Sequence, residues 1–215
     1  MNSNVLVLKL DLVKAFDRVN WTFIRLLLIQ IGIPLLGVKW IMGCVSSSCF
    51  AVLVNGSRSD FFPASRGLCQ GCPLSPLLFI LIMESLSCII MDAQHKGHIK
   101  GFQYSPLLSI THLLFVDDVI LIGVGTVEEW SAYKDALDLF CSASRMTVSI
   151  EKSSFLYQNV DADIGNKIPE ILPFRMEPLT VGFKYLGYRL KPLGYLTYWR
   201  WMIELFEKKN PKLDL

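Results

Sequence analysis

Long apolar runs without charge are missing from this chain, although 52% of its 215 residues are hydrophobic and its mean hydropathy is +0.42. A spanning helix needs roughly 20 consecutive apolar residues, whereas the most apolar run, Leu77 to Met83, meets Glu84 at once. The expectation is no transmembrane segment and no membrane partner. Lys9 and Asp11 interrupt the N-terminal apolar segment, which excludes a signal peptide and points to an intracellular chain, nuclear or cytoplasmic rather than secreted. An excess of one charge is also missing. With 21 Lys and Arg against 19 Asp and Glu, the net charge is +2, so no global basic field announces nucleic acid, though a groove can be locally basic. The six cysteines include no CxxC followed by a second such pair. Cys69 and Cys72 have that spacing with no histidine nearby, so reduced thiols are expected rather than zinc or redox chemistry. Repeats and low-complexity tracts are absent, and the length suits one sizeable domain or two small ones.

What the chain does have is an adjacent pair of aspartates, Asp117 and Asp118, between two strand-forming apolar runs in SITHLLFVDDVILIGV, 109–124. Hairpin turns favour Asp-Gly or Asn-Gly, which supply positive φ. Two carboxylates at a tight strand–strand junction repel each other unless a cation sits there, and hard cations such as Mg²⁺ take carboxylate oxygens. A further carboxylate, Asp11, ends the apolar strand VLVLKL at 5–10. Two central strands of one sheet would bring the three together, a grouping unstable without cations. Two Mg²⁺ ions about 4 Å apart would satisfy it and could serve in-line phosphoryl displacement. On chemistry alone, nucleotidyl transfer and metal-dependent phosphate hydrolysis both remain open.

The surrounding pattern is mixed. Asn20 caps a helix through Ile31 that Gly32 and Pro34 stop, a second helix covers about 35–44, and Asn55-Gly56 marks a type I′ hairpin. A Gly-rich loop at 66–73 leads into a long helix with Ser75 as N-cap, Pro76 in its first turn and Gly97 closing it. Thr126 and Glu129 form a capping-box pattern opening a helix to about Ser144. A short strand near Phe155, a Pro-rich irregular stretch at 169–178 and a hairpin at 183–190 complete the pattern. This order predicts an α+β domain, with helices packed on one face of an antiparallel sheet. Among the histidines, His112 reads as a satisfied or surface side chain, and His95 and His98 flank Gly97 at a helix C-terminus, where positive charge is favourable.

The segments LDLVKAFDRVNW (10–21), RGLCQGCPLSPLLF (66–79), FVDD (115–118) and KYLGYRL (184–190) occur in this order. The ordered set resembles the palm of a reverse transcriptase, closest to those of non-LTR (LINE-type) retrotransposons and plant-like among them. The resemblance implies an RNA-directed DNA polymerase using two Mg²⁺ ions, with Mn²⁺ as an alternative, an RNA template, a DNA primer and deoxynucleoside triphosphates. It implies metal binding by Asp11, Asp117 and Asp118, with the Leu12 backbone carbonyl reaching a metal. Phe16 would stand as the bulky gate against the sugar 2′-OH. Gln70 would lie against nucleotide and template, flanked by Gly67 and Gly71, and Arg66 would touch phosphate. Lys152 would donate a proton to the leaving pyrophosphate. Lys184, Tyr185, Leu186 and Gly187 would form the primer grip.

The chain also departs from that pattern. At SRMTVSIEKS (144–153), Arg145 and Ser149 stand where the family usually has glycine and asparagine. An Arg does not cheaply adopt a glycine-only conformation, which puts the position of Lys152 in question. Met1 lies only ten residues before Asp11, and the expectation is a palm over 1–190, truncated at its N-terminal side, with fingers and most of the thumb missing. Residues 191–215 would begin a thumb or connection segment, their aromatic group Tyr195, Tyr198, Trp199 and Trp201 packing against an absent domain. Such a remnant would have weak or no activity alone. The alternatives are a non-catalytic nucleic-acid or protein-binding module that keeps the palm fold, and a phosphohydrolase, which fits the carboxylates but not the Gln70 loop.

Overall fold

The structure is a computed structural model that describes residues 4–106, 108–160, 162–186 and 188–190. Its first strand, β1 (Val5–Asp11), has its more deeply buried residues at alternate positions, with Val7 buried as well. Leu6, Leu8 and Leu10 are fully buried on one face, and Val5, Val7, Lys9 and Asp11 occupy the other. Helices follow as α1 (Ala15–Arg18), α2 (Trp21–Gln30) and α3 (Leu35–Ser46). The Asn20 side chain caps α2 by accepting from the amides of Thr22 and Phe23, as its residue type predicts. Four short strands, β2 (Cys49–Phe50), β3 (Leu53–Val54), β4 (Ser57–Arg58) and β5 (Phe62–Pro63), form two small ladders, β2 with β5 and β3 with β4. Asn55 and Gly56 both have positive φ, 49° and 83°, the type I′ geometry that the dipeptide predicts.

The long helix α4 (Leu74–His95) comes after the Gly-rich loop. Its N-cap is Pro73 rather than Ser75, which is buried inside the first turn. Leu78, Phe79, Ile82, Met83, Leu86 and Ile90 form its core face. By length and composition alone α4 is apolar enough to cross a membrane, a criterion that a buried core helix also meets. Glu84 interrupts the run without lowering the average enough to exclude it. After α4 come β6 (Phe102–Ser105) and β7 (Leu108–Ile110), which pair with each other, then β8 (His112–Phe115), β9 (Asp118–Val124), α5 (Val127–Ser144) and β10 (Ser154–Gln158).

Two expectations are corrected here. Glu129 does not close a capping box. Its buried carboxylate accepts from the amides of Lys100 and Gly101, both 2.8 Å, and Val124, 2.7 Å. Two chain segments thereby supply its partners, a tertiary demand that outcompetes the local cap. The stretch at 169–178 is not irregular: α6 (Ala162–Ile171) contains Pro169, and β11 (Arg175–Pro178) comes next. The buried Ile168 and Leu172 anchor that helix, so packing outweighs the proline penalty.

The central sheet has the order β11-β10-β1-β9-β8, with β1 antiparallel to both β10 and β9. Leu6, Leu8 and Leu10 share one core with Phe79, Ile82 and Leu86 of α4 and Trp130, Tyr133 and Phe140 of α5. This is the α+β architecture that the pattern predicts. The chain divides into two compact units, residues 1–176 and 177–215. In the second, β12 (Phe183–Tyr185) and β13 (Tyr188–Leu190) form an antiparallel hairpin after a short 3₁₀ turn.

Candidate active site

Antiparallel pairing of β1 with β9 puts Asp11 directly opposite Asp118. Paired residues project to the same face, so the two carboxylates share a face about 5 Å apart at their Cα atoms. Asp117 occupies the exposed tip of the β8–β9 hairpin beside them. The tip residue Val116 has a φ of 54°, a conformation a β-branched side chain holds only where flanking structure enforces it. Burial pushes the Asp118 carboxyl above its ordinary range. Lys9, on the same face, pulls it down, while the charges of Asp117 and Asp11 push it further up. Asp118 therefore feels the charge of both other carboxylates.

A second arm reaches the site from the chain after α5. Arg145 takes the left-handed cap position, φ 62°, and its amide donates to the Cys141 carbonyl. The position is one that glycine usually fills, and Arg145 fills it without displacing the turn beyond it. The Val13 amide donates to Thr147, the Ser149 amide donates to the Asp11 carbonyl, and the Asp11 amide donates to Ser153 Oγ at 3.0 Å. The 147–153 turn thus grips the Asp11 backbone on both sides. It also sets Lys152 Nζ 4.0 Å from Asp11 Oδ1. Ser153 and Lys9 are participants that motif reading missed. A small hydroxyl next to Lys152 and a lone cation in an apolar strand were the available signals. The Leu12–Val148 bridge is hydrogen-bonded through Asp11 and Val13, which turns the Leu12 carbonyl away from that ladder.

The loop after β5 carries Arg66, Gly67, Gln70 and Gly71. Phe16 is half-buried and stacks on Phe79, with centroids 4.3 Å apart and planes at 10°. Gating and core packing, alternatives for one ring, are here compatible. Gln70 and Gly71 are exposed. Arg66 is exposed as well, lining a cleft of about 470 Å³ with Asp17, Ser65, Phe50 and Phe62. Gly67 has its close approach to the Asp17 backbone, whereas Gly71 faces open space. Lys184, Tyr185 and Leu186 lie in the hairpin of the second unit. Gly187, together with Tyr195, Tyr198, Trp199 and Trp201, lies outside the described residues. His112 bonds Thr111 and Ser87 through its two ring nitrogens, 2.9 Å each, and burial lowers its pKa against the opposing charge of Glu84. It is a satisfied side chain.

Among the described residues no three His, Cys, Asp or Glu side chains already stand as a metal cage. The donor set nevertheless fits hard divalent cations. Asp11 and Asp118 face one another and Asp117 adjoins them; burial first, and the charges of Asp117 and Asp11 after it, raise Asp118, and bound cations would offset that repulsion.

The chain is similar to known proteins in sequence and in fold. The reverse transcriptase (RNA-dependent DNA polymerase) family model matches residues 1–190. A retrovirus-related Pol polyprotein from the type-1 retrotransposable element R2 of Popillia japonica is 30% identical over 191 residues, 85% of this chain and 26% of that protein. A transposon TX1 protein of Xenopus laevis is 29% identical over 154 residues, 70% of this chain and 11% of that protein. The chain thus spans about a quarter of the R2 protein and less of the TX1 protein. Telomerase from Candida tropicalis, solved with a fragment of telomeric RNA, has the same fold with a TM-score of 0.58 at 13% identity. That match covers 88% of this chain and 29% of the telomerase. From its motifs, its sheet and its relatives among non-LTR retrotransposon proteins, the chain belongs to the reverse transcriptase (RNA-dependent DNA polymerase) family.

Proposed function

We propose that this chain carries the nucleotidyl-transfer centre of an RNA-directed DNA polymerase, extending a DNA primer on an RNA template from deoxynucleoside triphosphates. The observation that carries the reading is the Asp11–Asp118 pairing beside Asp117. Asp11, Asp117 and Asp118 would hold Mg²⁺, with Mn²⁺ as an alternative. When bound, the ions supply charge neutralisation and activation of the attacking oxygen. The chain's own residues position the rest. Lys152, whose Nζ is 4.0 Å from Asp11 Oδ1, would give a proton to departing pyrophosphate, Phe16 would exclude the ribose 2′-OH, and Gln70 and Arg66 would contact nucleotide and template. Lys184, Tyr185, Leu186 and Gly187 would hold the primer end.

The test is primer extension on an RNA template with Mg²⁺, comparing wild type with Asp117→Ala. Incorporation by wild type that disappears in the variant supports the reading. RNA binding without incorporation in either protein would replace it with a binding module that keeps the fold.

A further inference from the structure

Two segments that the proposed reaction uses are far apart in sequence, Phe16 after β1 and Gln70 before α4. Three hydrogen bonds join them. The Leu68 amide donates to the Phe16 carbonyl at 2.7 Å, the Gly67 amide to the Val19 carbonyl at 2.8 Å, and the Trp21 indole Nε1–H to the Gly67 carbonyl at 2.7 Å. Gly67 has a φ of 85°, and a Cβ there would stand 2.7 Å from the Asp17 carbonyl oxygen. No side chain fits between these backbones, and the positive φ adds strain to any substitution. Leu68, next along, is buried. The indole closes the junction from the first turn of α2, whose start the Asn20 cap determines.

We infer that Trp21 is a positioning residue for the nucleotide site, through a contact that joins the 10–21 and 66–79 segments and to which the resemblance assigns no role. Its indole N–H holds the Gly67–Leu68 strap on the Phe16–Val19 segment, so that the Phe16 ring and the Gln70 loop keep one relative geometry. Trp21 itself need not touch nucleotide. The inference rests on the polymerase reading for its functional consequence and on the hydrogen-bond geometry for the strap.

Trp21→Phe keeps an aromatic ring and removes the donor. Its control is Trp130→Phe, which removes an indole bond of the same kind to the Val124 carbonyl. That bond lies at the other end of β9, roughly 20 Å from Asp118. Expected for Trp21→Phe is a rise of about fivefold in the deoxynucleotide KM, the size of one lost hydrogen bond. Discrimination against ribonucleotides should weaken while kcat stays nearly constant. Trp130→Phe should lower Tm and leave KM and discrimination alone. Discrimination is a ratio, so a smaller folded fraction does not mimic the effect. Hydrogen exchange supplies an arm independent of activity. In Trp21→Phe the Gly67 and Leu68 amides should exchange about tenfold faster, while those of Leu8 and Leu121 stay protected. Should Trp21→Phe not fold, Trp21→His, which retains a ring N–H, takes its place with partial effects on the same readouts.

Unchanged exchange at Gly67 and Leu68 overturns the strap. Faster exchange with unchanged KM and discrimination overturns the positioning role. If wild type incorporates nothing, the polymerase reading fails, and exchange alone then decides whether Trp21 holds the strap.

Discussion

Asp11 faces Asp118 across the β1–β9 ladder, each as the other's direct register partner. Like charges placed so are destabilising, and the Asp118 carboxyl is raised, chiefly by burial and in smaller part by the charges of Asp117 and Asp11. A folded-state value above the unfolded one means that the stabilising contribution is present below the unfolded carboxylate range. It is lost as pH rises through the raised value. Asp118→Asn should therefore raise Tm at pH 7 in chelator, and the advantage should vanish near pH 3. Mg²⁺ should raise the wild-type Tm more than that of the variant. Thermal scans at several pH values with EDTA or Mg²⁺ measure both effects.

Lys152 is exposed and Asp11 only half-buried, with 4.0 Å between the charged atoms, so their ion pair contributes little to folding. Lys152→Ala should shift stability by less than about 1 kcal/mol. If Lys152 protonates the leaving group, nucleotide incorporation should nevertheless fall by about 10²-fold, with partial recovery in Lys152→Arg. Denaturant melts alongside single-turnover incorporation separate the two outcomes.

Arg145 sits at φ 62° where glycine is favoured. Arg145→Gly should stabilise the chain by about 1 kcal/mol through relief of left-handed strain, measured as a shift in urea midpoint at constant m-value. An unchanged or lower midpoint would mean that Arg145 makes compensating contacts.

Glu129 satisfies three backbone amides from a buried position. Glu129→Gln directs an amide NH₂ at one of those donors and should cost about 2–3 kcal/mol. Glu129→Ala should cost more, because all three amides lose their acceptor. Equilibrium unfolding checks the order of the two variants.

Cysteine reactivity should split by site. Backbone bonding from Leu74 lowers the Cys72 thiol pKa, partly opposed by desolvation and helped by Ser75. Burial pushes Cys141 up to about 11, with Asp138 adding to the shift. Alkylation at pH 8 read by peptide mass spectrometry should label Cys72 well before Cys141, since the thiolate is the nucleophile.

Much of the site was legible because its chemistry is local. The carboxylate pair, the Asn55-Gly56 turn and the Asn20 cap each depend on residue types within a few positions. Glu129 and Arg145 were not legible in that way. Glu129 obeys a capping pattern over four residues, yet its carboxylate is claimed by amides almost thirty positions upstream. Arg145 breaks a glycine preference, yet the turn after it still delivers Ser153 and Lys152 to Asp11.

Sequence by itself determined the apolar first strand, the acidic tip, the ordered motifs and so the family, because these depend on residue types at short spacing. Only the tertiary structure decided that Asp11 opposes Asp118, that Phe16 stacks on Phe79 and that Trp21 reaches Gly67. Those contacts join residues tens to more than a hundred positions apart. Their geometry depends on strand register and close backbone approach, which no local pattern of residue types specifies.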